Sequence, residues 1–216
     1  MHHPALQKCF LFRSLTPDQT DTAIQLMGGK TLSYEKGSMM LRIADKTARF
    51  WLVLEGFVHI CLDEEDGNRV IMATVSPGET FGESLCFLGK EAPVFAEAKT
   101  NVKVMELCGD VFAKMPDTNF AFLLQQRFTA MLAKRTLEMN ARIQILSKKT
   151  MRDKIFTMLA HFGGNPDAIP FPLPFDRSGM AFYLGVDRSA LSRELSKLKE
   201  EGSLDFKKNT FIWSKR

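Results

Sequence analysis

The hydropathy period of this chain changes once, and that change limits what it can fold into. From Leu32 to about Leu107 the apolar residues come in short β-branched and aromatic runs punctuated by glycine and polar turns. Phe50 to Gly56 is one run; Phe57 to Leu62 is the next, with Val58, Ile60 and Leu62 on one face at a period of two. Asp63 to Asn68 reads as a polar turn, Val70 to Val75 returns, and Ser76-Pro77-Gly78-Glu79 turns again before Thr80-Phe81-Gly82. Short strands at this spacing predict an antiparallel sandwich or barrel. Beyond Asp117 the period becomes helical. Phe120, Leu124, Phe128, Met131, Leu132, Met139, Ile143 and Leu146 form a stripe with no Gly or Pro inside it. A helix of roughly 30 residues is about 45 Å long, more than a small domain needs to cover itself. Pairing with a copy of itself is the expected use; packing along its own domain is the alternative.

A length of 216 residues accommodates two domains, and an apolar share of 45% is enough to give each a core. The expected division is a β-barrel over residues 1–116, a long helix over 117–147 and a separate, basic domain over 148–216. No apolar run reaches the roughly 18 residues that span a bilayer, and nothing resembles a signal peptide, so a cytoplasmic protein without a membrane partner is expected. Charge is uneven. Residues 148–216 carry 13 Lys and Arg against 8 Asp and Glu, whereas residues 1–147 carry 16 against 17. A basic segment on a neutral protein suits a polyanion, although a solvated lysine-rich face is the commoner cause. Cys9, Cys61, Cys86 and Cys108 form no CxxC pair and have no His at metal-ligand spacing, so no metal site is expected. No nucleophile elbow, P-loop, HExxH or paired-carboxylate motif appears; no catalytic residue is assigned and the chain does not read as an enzyme.

Punctuation places the remaining elements. Residues 5–27 look partly helical, with Thr16 as an N-cap and Pro17 at the first helical position. Thr150-Met151-Arg152-Asp153 resembles a capping box opening a helix through His161-Phe162, which Gly163-Gly164-Asn165-Pro166 ends. Pro170, Pro172 and Pro174 then make an extended connector. Two short helices follow. The first starts at Asp176 and runs to Leu184; Gly185-Val186-Asp187 is a tight turn; the second runs from Arg188 to Lys199. On the second, Leu191, Leu195 and Leu198 share one face, and Arg188, Ser189, Ser192, Ser196 and Lys199 occupy the other, with Arg193 at its edge. Helix, turn, helix is the unit whose second member enters the DNA major groove, where Arg meets guanine bidentately and Ser reaches bases or phosphates. An ordinary helical hairpin with a polar face is the competing reading. Gly202 closes the helix, and Leu204 to Trp213 reads as a β-hairpin with Lys207 and Lys208 at a basic tip, a wing of the kind that lies along phosphates.

Two separated sets of residues now stand in order: Leu54-Glu55-Gly56, Gly67, Pro77-Gly78 and Phe81-Gly82-Glu83, then Leu184-Gly185-Val186-Asp187-Arg188-Ser189-Ala190-Leu191-Ser192-Arg193. With them nearly the whole chain resembles the CRP/FNR family of bacterial transcription regulators. The resemblance implies an α+β protein: a cyclic-nucleotide-binding-like jelly-roll (a double-stranded β-helix), a long dimerisation helix and a winged helix-turn-helix. It also implies a homodimer on a pseudo-palindromic double-stranded DNA operator, with RNA polymerase as a partner if the protein activates. Arg188, Ser189, Ser192 and Arg193 would face bases, Arg177 and Ser178 phosphate, and Lys197, Lys207 and Lys208 would add to the interface. Many members have Glu where this chain has Ser189, so their half-site does not transfer.

The sensor's signal is less well marked. In members that bind cAMP an Arg followed by Ser or Thr comes about ten residues after the Phe-Gly-Glu segment. Here the stretch is Ala92-Pro93-Val94-Phe95-Ala96, which resembles the FNR branch instead. Gly82, Glu83, Ser84, Pro93 and Val94 are the candidate effector residues, although Gly82 and Glu83 also fit a tight turn and a polar cap. An FNR-type iron–sulfur cluster needs several cysteines near the N-terminus, and only Cys9 is there. Haem stays an alternative through His2, His3, His59 or His161, with His59 expected on an outward strand position. Thiol sensing by Cys86 or Cys108 lacks a flanking basic residue. A small organic effector in an apolar pocket is the default reading, and a DNA-independent ligand-binding module is the runner-up that residues 176–213 argue against.

Overall fold

The computed structural model describes residues 3–63, 69–109, 111, 118–163 and 170–213. Residues 64–68 of the polar turn, with Gly67, lie outside them, as do His2 and residues 164–166 of the break after His161-Phe162. The chain divides into two compact units, Met1–Met131 and Leu132–Arg216.

The first unit opens with helices α1 (Pro4–Lys8) and α2 (Pro17–Leu26). At α2 the Thr16 hydroxyl accepts from the Gln19 N–H while the Gln19 side chain accepts from the Thr16 N–H, the reciprocal cap of two orphan donors. Eight strands follow: β1 (Lys30–Tyr34), β2 (Met39–Leu41), β3 (Arg49–Glu55), β4 (Val58–Asp63), β5 (Arg69–Val75), β6 (Thr80–Phe81), β7 (Phe95–Ala98) and β8 (Val102–Cys108). They make two four-stranded sheets, ordered β1-β8-β3-β6 and β2-β7-β4-β5. First pairs with eighth, second with seventh, third with sixth and fourth with fifth, all antiparallel, so the segment is one long hairpin rolled into a jelly-roll. Trp51, Val53, Val58, Val75, Phe81, Ala96, Ala98, Val102 and Val104 fill the space between the sheets. Val58 and Ile60 face this core as their period requires. On β3 the alternate residues Phe50 and Leu52 are also fully buried. Two buried faces leave no polar alternation, which explains the unbroken apolar run. The Phe81-Gly82-Glu83 segment, read above as a tight strand turn, instead opens a short helix α3 (Glu83–Leu88) with Gly82 at φ +86°.

The expected long helix is α4 (Asn119–Leu146), 28 residues. Its stripe divides: Leu124 and Phe128 are buried in the first unit, whereas Met139 and Ile143 are each 60% exposed. Near its end Ile145, outside the expected stripe, is the buried residue, and Leu146 is partly exposed.

In the second unit α5 (Met151–Gly163) begins at Thr150, whose hydroxyl accepts from the Asp153 N–H at 3.1 Å and donates to its carboxylate. The proline connector contributes a short edge strand β9 (Phe171–Pro172). Helices α6 (Arg177–Leu184) and α7 (Arg188–Glu200) lead to the hairpin β10 (Leu204–Lys207) and β11 (Thr210–Trp213), and the three strands pair in the order β10-β11-β9. Proline is tolerated in β9 because an edge strand can spare a donor. Ile155, Met158, Leu159, Met180, Leu184, Leu191, Leu195, Leu198 and Phe211 form the core. Leu195 is fully buried at its centre, so Leu195→Ala should cost about 2–5 kcal/mol in this unit. Urea unfolding followed by circular dichroism checks this; a loss below about 1 kcal/mol would mean the core re-closes around the gap.

Candidate functional site

The surface with most chemistry lies on α6, α7 and the wing. Local sequence sets its geometry. The Asp176 carboxylate accepts from the Gly179 N–H at 2.7 Å and the Asp187 carboxylate from the Ala190 N–H at 2.8 Å, so both helices start on side-chain caps. Between them Gly185 takes φ +61°, the left-handed conformation that ends α6 and redirects the chain within three residues. The turn fixes which face of α7 is inward: Leu191, Leu195 and Leu198 are fully buried. Arg188, Ser189, Ser192, Arg193 and Lys197 are then exposed together on the opposite side. Among the described residues Arg193 and Lys197 have no ion pair or side-chain hydrogen bond, which leaves their charge available. The Ser192 hydroxyl donates to the Arg188 carbonyl at 2.9 Å, so outward it presents lone pairs.

The back of α7 is held by charges that the sequence reading did not single out. Arg152 of α5 bonds Glu194 at 3.0 Å and Glu201 through both terminal nitrogens at 2.8 and 3.0 Å. Lys199, read above as part of the polar face, pairs with Asp205 at 2.5 Å. Lys154 donates to the Leu184 carbonyl and Arg142 to that of Phe182, both at the C-terminal end of α6 where a cation is favoured. Spacing along the sequence hides such pairs, because 42 and 49 residues separate Arg152 from its partners.

Arg177, expected at phosphate, is turned to the wing. Its guanidinium lies 4.9 Å from the Phe206 ring centroid and reaches the Lys208 carbonyl at 3.5 Å. Burial, then the neighbouring Arg188 charge, lower its pKa. Ser178 is exposed beside it. At the wing tip Lys208 takes φ +56° in the turn joining Lys207 to Thr210, and both lysine side chains are exposed.

The sensor candidates sort by exposure. A Cβ on Gly82 would lie 2.9 Å from the Trp51 ring, so the close approach as well as the positive φ calls for glycine. Glu83 is only 4% exposed; the Thr80 hydroxyl donates to its carboxylate and also lies 3.8 Å from the Met131 sulfur. Ser84 and Pro93 are exposed and Val94 is half-buried. His59, expected to point outward, is half-buried between strands; burial first, then the Lys99 charge, lower its pKa against the opposing pull of Glu97. Among the described residues no cluster of three or more His, Cys, Asp or Glu could hold a metal ion, and no helix is long and apolar enough to cross a membrane. Cys9, Cys61 and Cys86 are buried. Burial is the main influence on the Cys9 thiol and pushes it from 9.0 up to about 11; backbone hydrogen bonds from Leu11 and Phe12 oppose the rise and the Glu83 charge adds to it. The folded value lies above the unfolded one, so this thiol's contribution to stability is complete below pH 9 and fades as pH rises toward 11. Iodoacetamide below pH 9 should therefore label Cys9 only at the rate at which the native state opens; labelling as fast as in urea would contradict the burial.

Residues 31–119 match the family described as the cyclic nucleotide-binding domain. The chain is 22% identical over 184 residues to the cAMP-activated global transcriptional regulator CRP of Escherichia coli O157:H7, covering 83% of this chain and 87% of that one. It is 27% identical to the transcriptional activator protein FnrL of Cereibacter sphaeroides, covering 83% and 75%. A crystal structure of a CRP/FNR-family transcriptional regulator from Thermus thermophilus superposes with a TM-score of 0.50 at 25% identity, covering 86% of this chain and 94% of that one. With a jelly-roll, a long helix and a helix-turn-helix in the same order, the chain is similar over more than four-fifths of its length to transcription regulators of the CRP/FNR kind.

Proposed function

We propose that this chain is a homodimeric, sequence-specific DNA-binding regulator of the FNR-like, non-cAMP branch, acting in the cytoplasm and controlled by a small effector in its barrel. The observation that carries the reading is the face of α7 on which Arg188, Ser189, Ser192, Arg193 and Lys197 are exposed together, beside a wing tip bearing Lys207 and Lys208. Its two ends do different work. A planar guanidinium can meet both major-groove acceptors of guanine, whereas an ammonium on a hairpin tip meets phosphate whatever the sequence. Arg177 acts through the wing, stacking on Phe206 to set where the lysines stand, and Ser178 remains the phosphate contact on α6. An effector other than cAMP suits Ala92, Pro93 and Val94, which offer an oxyanion neither a guanidinium nor a hydroxyl. If the protein activates, RNA polymerase is its further partner.

Dimerisation rests on α4. Phe122, Gln125, Thr129, Leu132, Thr136, Met139, Ile143 and Leu146 recur at alternating intervals of three and four, the seam of a two-stranded coiled coil. Phe122 is 61% exposed, Met139 and Ile143 60% each. Apolar residues so exposed along one helical line need a second surface. Leu137, also exposed, lies off this line. Two recognition helices related by a twofold axis would enter major grooves about 34 Å apart on a pseudo-palindrome.

Two experiments test this. Arg193→Ala should lose about 1–3 kcal/mol at one base pair of the operator and relax the preference there, while Lys207→Ala should weaken all sites alike and lower the salt slope by about one. Binding to single-base operator variants at several salt concentrations reads both; uniform weakening by Arg193→Ala would mean that α7 docks differently. Ile143→Glu should give a monomer at micromolar concentration by sedimentation, and a wild-type protein that is itself monomeric with and without DNA would remove the dimer.

A further inference from the structure

Two donors inside the barrel lack acceptors. Trp51 is only 5% exposed, and its Nε1–H has no hydrogen-bond partner among the described residues. The Nη1 of Arg49 is buried and likewise without a hydrogen bond, although it lies 3.3 Å from a Glu106 carboxylate oxygen. The side chains of Arg49 and Glu106 are 37% and 17% exposed. Arg49, Trp51 and Val53 alternate along β3 and Val53 faces the sandwich core, so all three point to the inner side of their sheet. Glu106 is the cross-strand partner of Trp51 on β8 and shares that side. The Cε3–Cζ3 edge of the indole lies against Gly82 after β6, which turns the Nε1 edge away from β6. The indole stacks on Phe81 with ring centroids 5.1 Å apart, within a core cluster that also holds the small residues Ala92, Ala96 and Ala98. An unpaired buried donor such as the Trp51 Nε1–H is costly to keep, and the Arg49 guanidinium, ion-paired with Glu106 but without a hydrogen bond from its Nη1, lies two residues away on the same face.

From this juxtaposition we infer that the barrel's effector is a small organic carboxylate whose head is bonded by Arg49 and Trp51. The inference rests on the proposal that the barrel holds an effector, and it identifies that effector's chemistry. A carboxylate suits the pair because it offers the guanidinium the same group that Glu106 offers now, and can take its place. Glu106 faces Lys30 across β1 and β8, so its charge keeps a neighbour when it gives way. A phosphate dianion would meet more repulsion from Glu106 than a singly charged head. Arg49 thus supplies the cation that residues 92–94 lack.

The test uses the full chain carrying Trp213→Phe, which leaves Trp51 as the only tryptophan. Acetate, butyrate and benzoate are titrated against Trp51 fluorescence and thermal stability, each beside its neutral amide and beside inorganic phosphate. At least one carboxylate should saturate, with its amide binding about tenfold more weakly or worse, as loss of a charge-assisted bond implies. Arg49→Gln should lose about tenfold in affinity for that carboxylate, whereas Glu106→Gln, which removes the competing charge, should bind it more tightly. Arg49→Lys keeps a cation and guards against a folding defect: it should fold and bind with intermediate affinity. An amide binding as well as its acid, or Arg49→Gln binding unchanged, overturns the carboxylate assignment and leaves the barrel as an effector site. Tighter binding of phosphate than of any carboxylate overturns it in favour of a phosphoryl ligand. No response to any acid overturns the assignment outright, and native mass spectrometry of the purified protein then decides separately whether the barrel carries a ligand.

Discussion

The surface proposed to read DNA depends on three leucines that lie beneath it. Leu191, Leu195 and Leu198 are fully buried, and on a helix of 3.6 residues per turn that leaves one orientation for the other side. Rotating α7 by one residue would expose a leucine and bury Arg188 or Arg193, at a cost of several kcal/mol for an unpaired charge. The hydrophobic seam therefore acts as an orientation device. The Arg152 fork on Glu194 and Glu201, partly exposed and so worth only a modest amount in itself, adds resistance to rolling because two of its bonds are parallel. Charge is used on the back of the helix to fix it and left unpaired on the front.

The barrel manages polarity differently. Its nested pairings bury β3 on both faces, so any polar atom near that strand must find a partner inside. Glu83 illustrates the solved case: a nearly buried carboxylate that takes a hydrogen bond from Thr80 of the neighbouring strand. Arg49 and Trp51 illustrate the open case. Since a fold of this kind keeps few buried donors unpaired, the places where it does are where ligand chemistry is most economically sought.

Much of this was legible in the sequence because local rules and the global fold agree. The caps at Thr16, Asp176 and Asp187, the glycine at 185 and the leucine face of α7 are each set within four residues, the range over which backbone chemistry acts. Strand spacing gave the barrel for the same reason. What was not legible depends on distant partners. The period of the long helix marked Ile143 and Leu146 but not the buried Ile145, because burial there is decided by the second unit's core rather than by the helix's own repeat. Likeness places Arg177 at phosphate, but no local pattern tells that its guanidinium also lies 4.9 Å and 5.8 Å from the ring centroids of Phe206 and Phe211. The short helix after Gly82 was missed because a six-residue segment carries no readable period. Arg49 and Glu106, 57 residues apart in the chain, carry no motif; only the register of β3 against β8 brings them together.

The long helix shows how a modest seam can suffice for assembly. A buried Phe, Leu, Ile or Met contributes about 1.5–3 kcal/mol relative to leaving it in water, and the proposed seam holds five such residues in each protomer: Phe122, Leu132, Met139, Ile143 and Leu146. Association costs on the order of 4–15 kcal/mol in lost freedom, which partial burial of both copies offsets with little to spare. Gln125, Thr129 and Thr136 interrupt the line, and polar residues at seam positions trade stability for register. They all lie between residues 125 and 136, whereas the last three seam positions, Met139, Ile143 and Leu146, are all apolar. A pairing built this way is firm at one end and adjustable at the other. That is the mechanical property an effector-controlled dimer requires: a small change in the barrel has only a few kcal/mol of helix contact to work against.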